Sequence, residues 1–282
     1  MRLWSRPFRS RPWFVAVIVL ALVAAAVTVE AQRRRGFGGL GRFGYAVQDN
    51  PKYDGKFQFC RAMYSEAPDG DGGGWSVDYP RADLNLPFRL GQLTPVIPVS
   101  KDARGEPKHV LLNLTDDRLF QCPFVMMTEV GTADVNPEEA GRLREYLLKG
   151  GFLWVDDFWG EYAWSIWERT IRKVLPESEY PIVELDLSHP LFHNFYEINQ
   201  KIQISSADFW MRNGHTAERA DAQVPHVRAI MNDRGYIMVL MTHNSDFGDA
   251  FEREGDSVDY FNHFAGPAYA FGVNAIMYAL TH

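Results

Sequence analysis

The stretch PEEAGRLREYLLKGGFLWVDDFWG, residues 137–160, decides the fold. Asn136 supplies an N-cap, Pro137 suits the first helical position, and Glu138 and Glu139 put negative charge where the helix dipole favours it. Leu143, Tyr146 and Leu147 share one face, Arg142, Arg144, Glu145 and Lys149 take the rest, and Gly150 closes the helix. Phe152-Leu153-Trp154-Val155 then runs without polar alternation, which reads as a strand buried on both sides. A helix feeding such a strand through Gly150-Gly151 is half of a βαβ crossover. The strand ends on Asp156-Asp157, and the carboxyl ends of strands are where ligands gather in α/β sheets. Neighbours on a strand point to opposite faces, so the two carboxylates are not expected to share a proton. One of them is expected to pair with Asp246, His243 or a metal.

Working outward, strands are expected over Phe57–Tyr64, His109–Leu114, Phe124–Thr128, Val183–Leu187, Ile202–Ser205, Val227–Met231 and Tyr236–Met241. Helices are expected beyond Asn85, over about Ala163 to Val174 ahead of Pro176, and from Pro267 to Leu280. Asp233-Arg234-Gly235 predicts a tight turn and a hairpin closing one side of the sheet. This alternation predicts an α/β domain, a mainly parallel sheet covered on both faces.

At the N-terminus, Arg2, Arg6, Arg9 and Arg11 precede an apolar run of 17 residues, Trp13 to Val29, and Val29-Glu30-Ala31 offers small residues for a signal peptidase. Residues 1–31 therefore read as a signal peptide or an uncleaved membrane anchor. Either leaves the domain exported, in the periplasm or held at the inner membrane. Residues 32–52 read as a Gly/Arg-rich tether, and residues 53–282 as one domain large enough for a real core. The whole chain carries a net charge of −7; losing four arginines and Glu30 with residues 1–31 makes it −10, and setting aside Arg33, Arg34, Arg35 and Arg42 makes it −14. Such an acidic body argues against nucleic acid as a partner. Cys60 and Cys122 both fall in apolar strand-like contexts and are expected to be two buried thiols rather than a bridge.

Candidate site residues cluster in two places. Asp156, Asp157 and His243 are the catalytic candidates. Arg61, Asp78, Tyr79, Trp159, Asp246 and Asp249 are the ligand-binding candidates, with Trp75, Phe158 and Trp164 as possible apolar walls. Trp154, Trp164 and Trp167 are better placed in a core. His243, Asp246, Asp249 and Glu252 lie three apart and could hold a divalent metal, the one cofactor the sequence suggests. The alternative is structural, with Asp246 as a helix N-cap and Glu252 on a solvated face.

Several phrases in one order carry a resemblance: FQFCRAMY at 57–64, WSVDYPRADLN at 75–85, GGFLWVDD at 150–157, SHPLF at 188–192 and MTHNSDFGD at 241–249. Over about residues 53–282 the chain resembles a bacterial domain-of-unknown-function family, number 4159. That family looks like a branch of the class I glutamine amidotransferase-like superfamily near trehalose-utilisation-like proteins. The resemblance implies a flavodoxin-like three-layer α/β/α domain. It also implies lost chemistry, because the superfamily's nucleophilic cysteine in a Gly-x-Cys-x-Gly turn is replaced here by Asp156-Asp157. His189-Pro190 and Thr242-His243 look like counterparts of histidine phrases in the trehalose-utilisation relatives, with His189 expected to cap or pack. The family's encoded neighbours imply envelope protein partners. Two functions are then in view: a ligand- or partner-binding module of the cell envelope, or a metal- or carboxylate-dependent hydrolase or isomerase acting on a carbohydrate-like substrate.

Overall fold

The computed structural model describes residues 49–282, so the expected signal or anchor at 1–31 and most of the tether lie outside the described residues. In chain order the strands are β1 (Phe59–Met63), β2 (Ser65–Glu66), β3 (His109–Asn113), β4 (Phe124–Thr128), β5 (Ala133–Asp134), β6 (Phe152–Asp156), β7 (Ile182–Glu184), β8 (His226–Met231) and β9 (Ile237–His243). The helices that matter here are α1 (Arg81–Leu93), α2 (Pro137–Leu148), α3 (Gly160–Val174), α4 (Ala207–Asn213), α5 (Phe247–Glu252) and α6 (Gly266–Thr281). Seven strands form one sheet in the order β3-β1-β4-β6-β9-β8-β7, while β2 and β5 pair separately. The five strands from β3 to β9 are mutually parallel, and β8 and β7 extend the sheet in antiparallel pairings.

The deciding stretch behaves as its residues dictate. Asn136 accepts from the backbone N–H of Glu138 and Glu139, and the Glu139 carboxylate accepts from the Asn136 N–H at 2.9 Å, a reciprocal capping box. Gly150 takes φ +96°, the left-handed backbone that ends the helix without a Cβ clash. All five residues of β6 are buried, and their period of two supplies both faces of the sheet. Phe152 and Trp154 join Phe59, Phe124, Met126 and Leu240 beneath α1, α5 and α6. Leu153 and Val155 join Val125, Met127 and Val239 beneath α2 and α3. Helices therefore cover both faces. Trp154 and Trp167 are core residues, and Trp164 packs half-buried at its margin.

Three expectations change. Ile202–Ser205 forms no strand: the Ile204 N–H is taken by Ser245 Oγ and the Ile204 carbonyl accepts from the Asp246 N–H, single bonds to a loop rather than a ladder. The strand expected over Val183–Leu187 is β7, Ile182–Glu184, because the register with β8 ends at Glu184–Arg228. Cys60 and Cys122 are bridged, with Cα atoms 6.2 Å apart. Cys60 sits in β1 and Cys122 just before β4, and it is the adjacency of these two strands that brings together sulfurs 62 residues apart in sequence. The hairpin turn is as expected. Asn232 Oδ1 accepts from the N–H groups of Arg234 and Tyr236, and Gly235 adopts φ +81°. Among the described residues no helix is long and apolar enough to cross a membrane.

Candidate functional site

All four non-glycine residues with positive φ among the described ones belong to one group of loops: Asp78 (63°), Glu129 (53°), Asp157 (56°) and Asn244 (61°). Glu129 follows β4, Asp157 follows β6 and Asn244 follows β9, so three of the four mark the C-terminal edge of three adjacent parallel strands. Left-handed backbone costs a side-chain-bearing residue about 1–3 kcal/mol and persists where surrounding bonds over-determine it. Those bonds are present. The Glu129 N–H donates to the Asp156 carbonyl, the Asp157 N–H to the Ser245 carbonyl and the Asn244 N–H to the Phe158 carbonyl. Asn244 also accepts from the Gly160 N–H through Oδ1 and donates through Nδ2 to the Val224 carbonyl.

These turns aim carboxylates at one another. One oxygen from each of Asp78, Asp157 and Asp246 lies within 4.8 Å of the others, and Asp78 stands in the same relation to Asp249 and Glu252. Asp78, Asp157, Asp246 and Asp249 are each buried, at 4–6% exposure. Burial, then the Asp249 charge, holds the Asp78 carboxyl well above the usual carboxylate range. Burial with Glu129 and Asp78 does the same to Asp157, and burial with Asp157 and Asp78 to Asp246. Asp249 is pushed up to about 6, chiefly by burial. Trp159 donates its indole N–H to Asp157 Oδ1 at 3.0 Å, and the Asp249 N–H donates to Asp246 Oδ1 at 2.6 Å, so both groups are oriented. Asp246 is thus the N-cap that the sequence allowed and a member of the cluster as well.

Asp156 does other work. Its Oδ2 accepts from the N–H groups of Phe247 and Gly248 at 2.7 and 2.9 Å, and its Oδ1 from Thr242 Oγ1 at 2.5 Å, tying the end of β6 to the start of α5. Burial raises it to about 7 against those three donors. Arg61 is likewise committed. Its Nε and Nη2 grip Asp83 at 2.5–3.0 Å and its Nη1 donates to the carbonyls of Trp75 and Val77, with both side chains of the pair fully buried. It braces the loop that presents Asp78, with every nitrogen engaged and the side chain fully buried. Tyr79 packs against Trp75 and His109, with its hydroxyl 3.2 Å from His109 Nε2.

The metal set read from spacing, His243 with Asp246, Asp249 and Glu252, is not assembled, because β9 runs through His243 and α5 starts only at Phe247. His243 Nε2 donates to the Gly160 carbonyl at 3.1 Å and its Nδ1 accepts from Arg228 at 3.2 Å, with the ring stacked on Phe158 and His226. Asp78, 165 residues before His243, joins the acids in its place. Glu252 is paired with Arg253 at 2.9 Å. Glu129 was not singled out by the sequence. A carboxylate directly after the predicted strand Phe124–Thr128 was the available signal, the same one that marked Asp156-Asp157. His189 caps a short turn by accepting from the Leu191 N–H. A cavity of about 360 Å3, lined by Phe57, Ile97, Val110 and Met277 together with Lys56 and Arg118, holds none of the cluster's carboxylates.

The His243 environment has a measurable consequence. Burial, outweighing the Gly160 carbonyl and reinforced by Arg228 and His226, lowers its pKa from 6.5 to about 4, with Glu184 acting the other way. The fold prefers the neutral ring, so this stabilisation is complete above about pH 6.5 and is lost as pH falls towards 4, roughly 3 kcal/mol in all. Urea unfolding at about pH 7.5 and pH 4.5 should show the wild type losing about 2–3 kcal/mol more between the two conditions than His243→Gln. Equal losses would contradict the neutral, buried imidazole.

Residues 58–280 match the model of a family described as a domain of unknown function, DUF4159. The chain belongs to that family. Comparison with curated proteins gives no match. The match takes in the whole carboxylate cluster, so the site is part of the DUF4159 domain itself, and Asp78, Glu129, Asp157 and Asp246 all fall inside it.

Proposed function

We propose that this DUF4159 domain is an exported ligand-binding module whose site is the carboxylate cluster at the C-terminal edge of its sheet. The observation that carries the reading is the convergence of three buried carboxyl groups, Asp78, Asp157 and Asp246, with Asp78 and Asp157 held on left-handed backbone. Packing alone would not favour such an arrangement, since each charge must leave water without a partner cation. By chain order the five parallel strands lie 2-1-3-4-5, which supports a flavodoxin-like scaffold, and ligands on that scaffold sit outside the strand carboxyl ends. The same order supports a place near the class I glutamine amidotransferases. Glutaminase chemistry is not part of the proposal, because β6 ends in carboxylates and both cysteines are in a disulfide. The bridge supports an oxidising compartment, in keeping with export to the periplasm or retention at the inner membrane through residues 1–31. Envelope proteins are the partners this location would offer. The hydrolase reading is weaker because His243, its natural base, has both ring nitrogens engaged.

A binding site sacrifices stability that a structural cluster would keep. Asp78→Asn and Asp157→Asn, each relieving a buried charge, are expected to raise the unfolding free energy by roughly 0.5–2 kcal/mol at about pH 8. Asp156→Asn, which sets an amide against three donors, should lower it by about 1–3 kcal/mol. Urea denaturation in metal-free buffer measures all three. If the first two variants are destabilised like the third, the cluster is structural and the proposal fails.

A further inference from the structure

We propose that Asp78, Asp157 and Asp246 together bind a hard divalent cation of the Ca2+ or Mg2+ class, an inference that rests on the reading of this edge as a ligand site. Three carboxylate oxygens contributed by three separate segments, the loop before α1, the end of β6 and the loop after β9, fall within 4.8 Å of one another. A cation bonded to all three at 2.0–2.6 Å needs ligand atoms about this close.

A second observation is independent of the clustering. Asp78 Oδ2 is buried and has no hydrogen-bond partner, although an unpaired buried carboxylate oxygen is among the costliest groups a fold can hold. That oxygen is also accommodated deliberately. A Cβ on Gly248 would stand 2.1 Å from it and 3.5 Å from Asp246 Oδ1, so the absence of a side chain at residue 248 is what admits the Asp78 carboxylate to the start of α5. Among the described residues the neighbouring cations are spoken for: Arg61 is bound to Asp83, and Arg253 to Glu252, Asp249 and Asp256. The indole of Trp159 and the Asp249 N–H act on Oδ1 of Asp157 and Asp246, the kind of outer support that holds ligating carboxylates in position.

The donor set selects the class of ion. It is all oxygen, with both sulfurs bridged and the His243 ring engaged elsewhere, which disfavours the thiolate- and imidazole-seeking metals and suits hard cations. Three carboxylates exceed the charge of one divalent ion, so binding relieves the mutual repulsion instead of leaving a buried positive charge.

The test uses the full-length protein stripped with EDTA, with Tb3+ as a probe. The Trp159 indole touches a proposed ligand, so Tb3+ at this site should emit when tryptophan is excited, and CaCl2 or MgCl2 should displace it. In Asp157→Asn and Asp246→Asn the affinity should drop roughly tenfold or more. Wild-type Tm should rise with CaCl2 or MgCl2 as mass action requires. Emission that is unchanged in both variants would place the ion elsewhere and overturn the inference. Absence of emission and of any Tm shift up to about 10 mM salt, beyond the weakest range of such sites, would also overturn it. In that case a stabilised Asp78→Asn would leave the ligand-site reading standing, and a destabilised one would remove both.

Discussion

Arg61→Met is expected to cost about 3–5 kcal/mol, a large share of the roughly 5–15 kcal/mol that holds a domain folded. The guanidinium and Asp83 are both fully buried, and every nitrogen of Arg61 is engaged. Removing it strands the Asp83 carboxylate in the interior, on the helix that also buries Leu86 and Leu90, and releases the carbonyls of Trp75 and Val77 that fix the Asp78 loop. Arg61→Met combined with Asp83→Leu should recover most of the loss, because a buried ion pair can be exchanged for apolar packing at little cost whereas half a pair cannot. Recovery should remain incomplete, since the Arg61 charge also favours the ionised form of Asp78. Circular dichroism with urea titration distinguishes the cases. A folded Arg61→Met with wild-type stability would mean that this arginine is available to a ligand after all.

Reducing the Cys60–Cys122 bridge should cost about 4 kcal/mol, the loop-closure entropy restored to an unfolded chain in which 62 residues separate the cysteines. The bridge joins β1 to the chain entering β4, at the N-terminal edge of the sheet, so its loss should lower the urea midpoint without altering the carboxylate edge. Cys60→Ala/Cys122→Ala should match the reduced wild type in stability and retain whatever ligand response the wild type shows. If dithiothreitol leaves the midpoint unmoved, the bridge contributes nothing to the fold and its support for an exported location falls with it.

Most of the architecture was legible because it is written in local rules. The capping box at Asn136 and Glu139, the left-handed Gly150, the apolar run of β6 and the turn at Asp233-Arg234-Gly235 each depend on residues within a few positions, where spacing and backbone preference suffice. Reading failed where a segment's state depends on what lies beside it. Ile202–Ser205 has strand composition, but its backbone partners are Ser245 and Asp246 of a loop instead of a neighbouring strand. Spacing by threes misplaced His243 for a related reason: a helical period was applied across the join between β9 and α5.

By itself the sequence determined the alternation of strands and helices, the sheet buried on both sides, and Asp157 and Asp246 as residues of interest at strand ends. Tertiary structure decided which groups meet. Asp78 reaches Asp157 and Asp246 because the loop ahead of α1 folds across the carboxyl ends of β6 and β9, and the glycine at 248 leaves room for its oxygen. It also decided that Arg61 serves Asp83, that Asp156 holds α5, and that the cysteines join. Each of these depends on strand order and on the exclusion of water from a shared interior, and both arise only when segments distant along the chain are packed together.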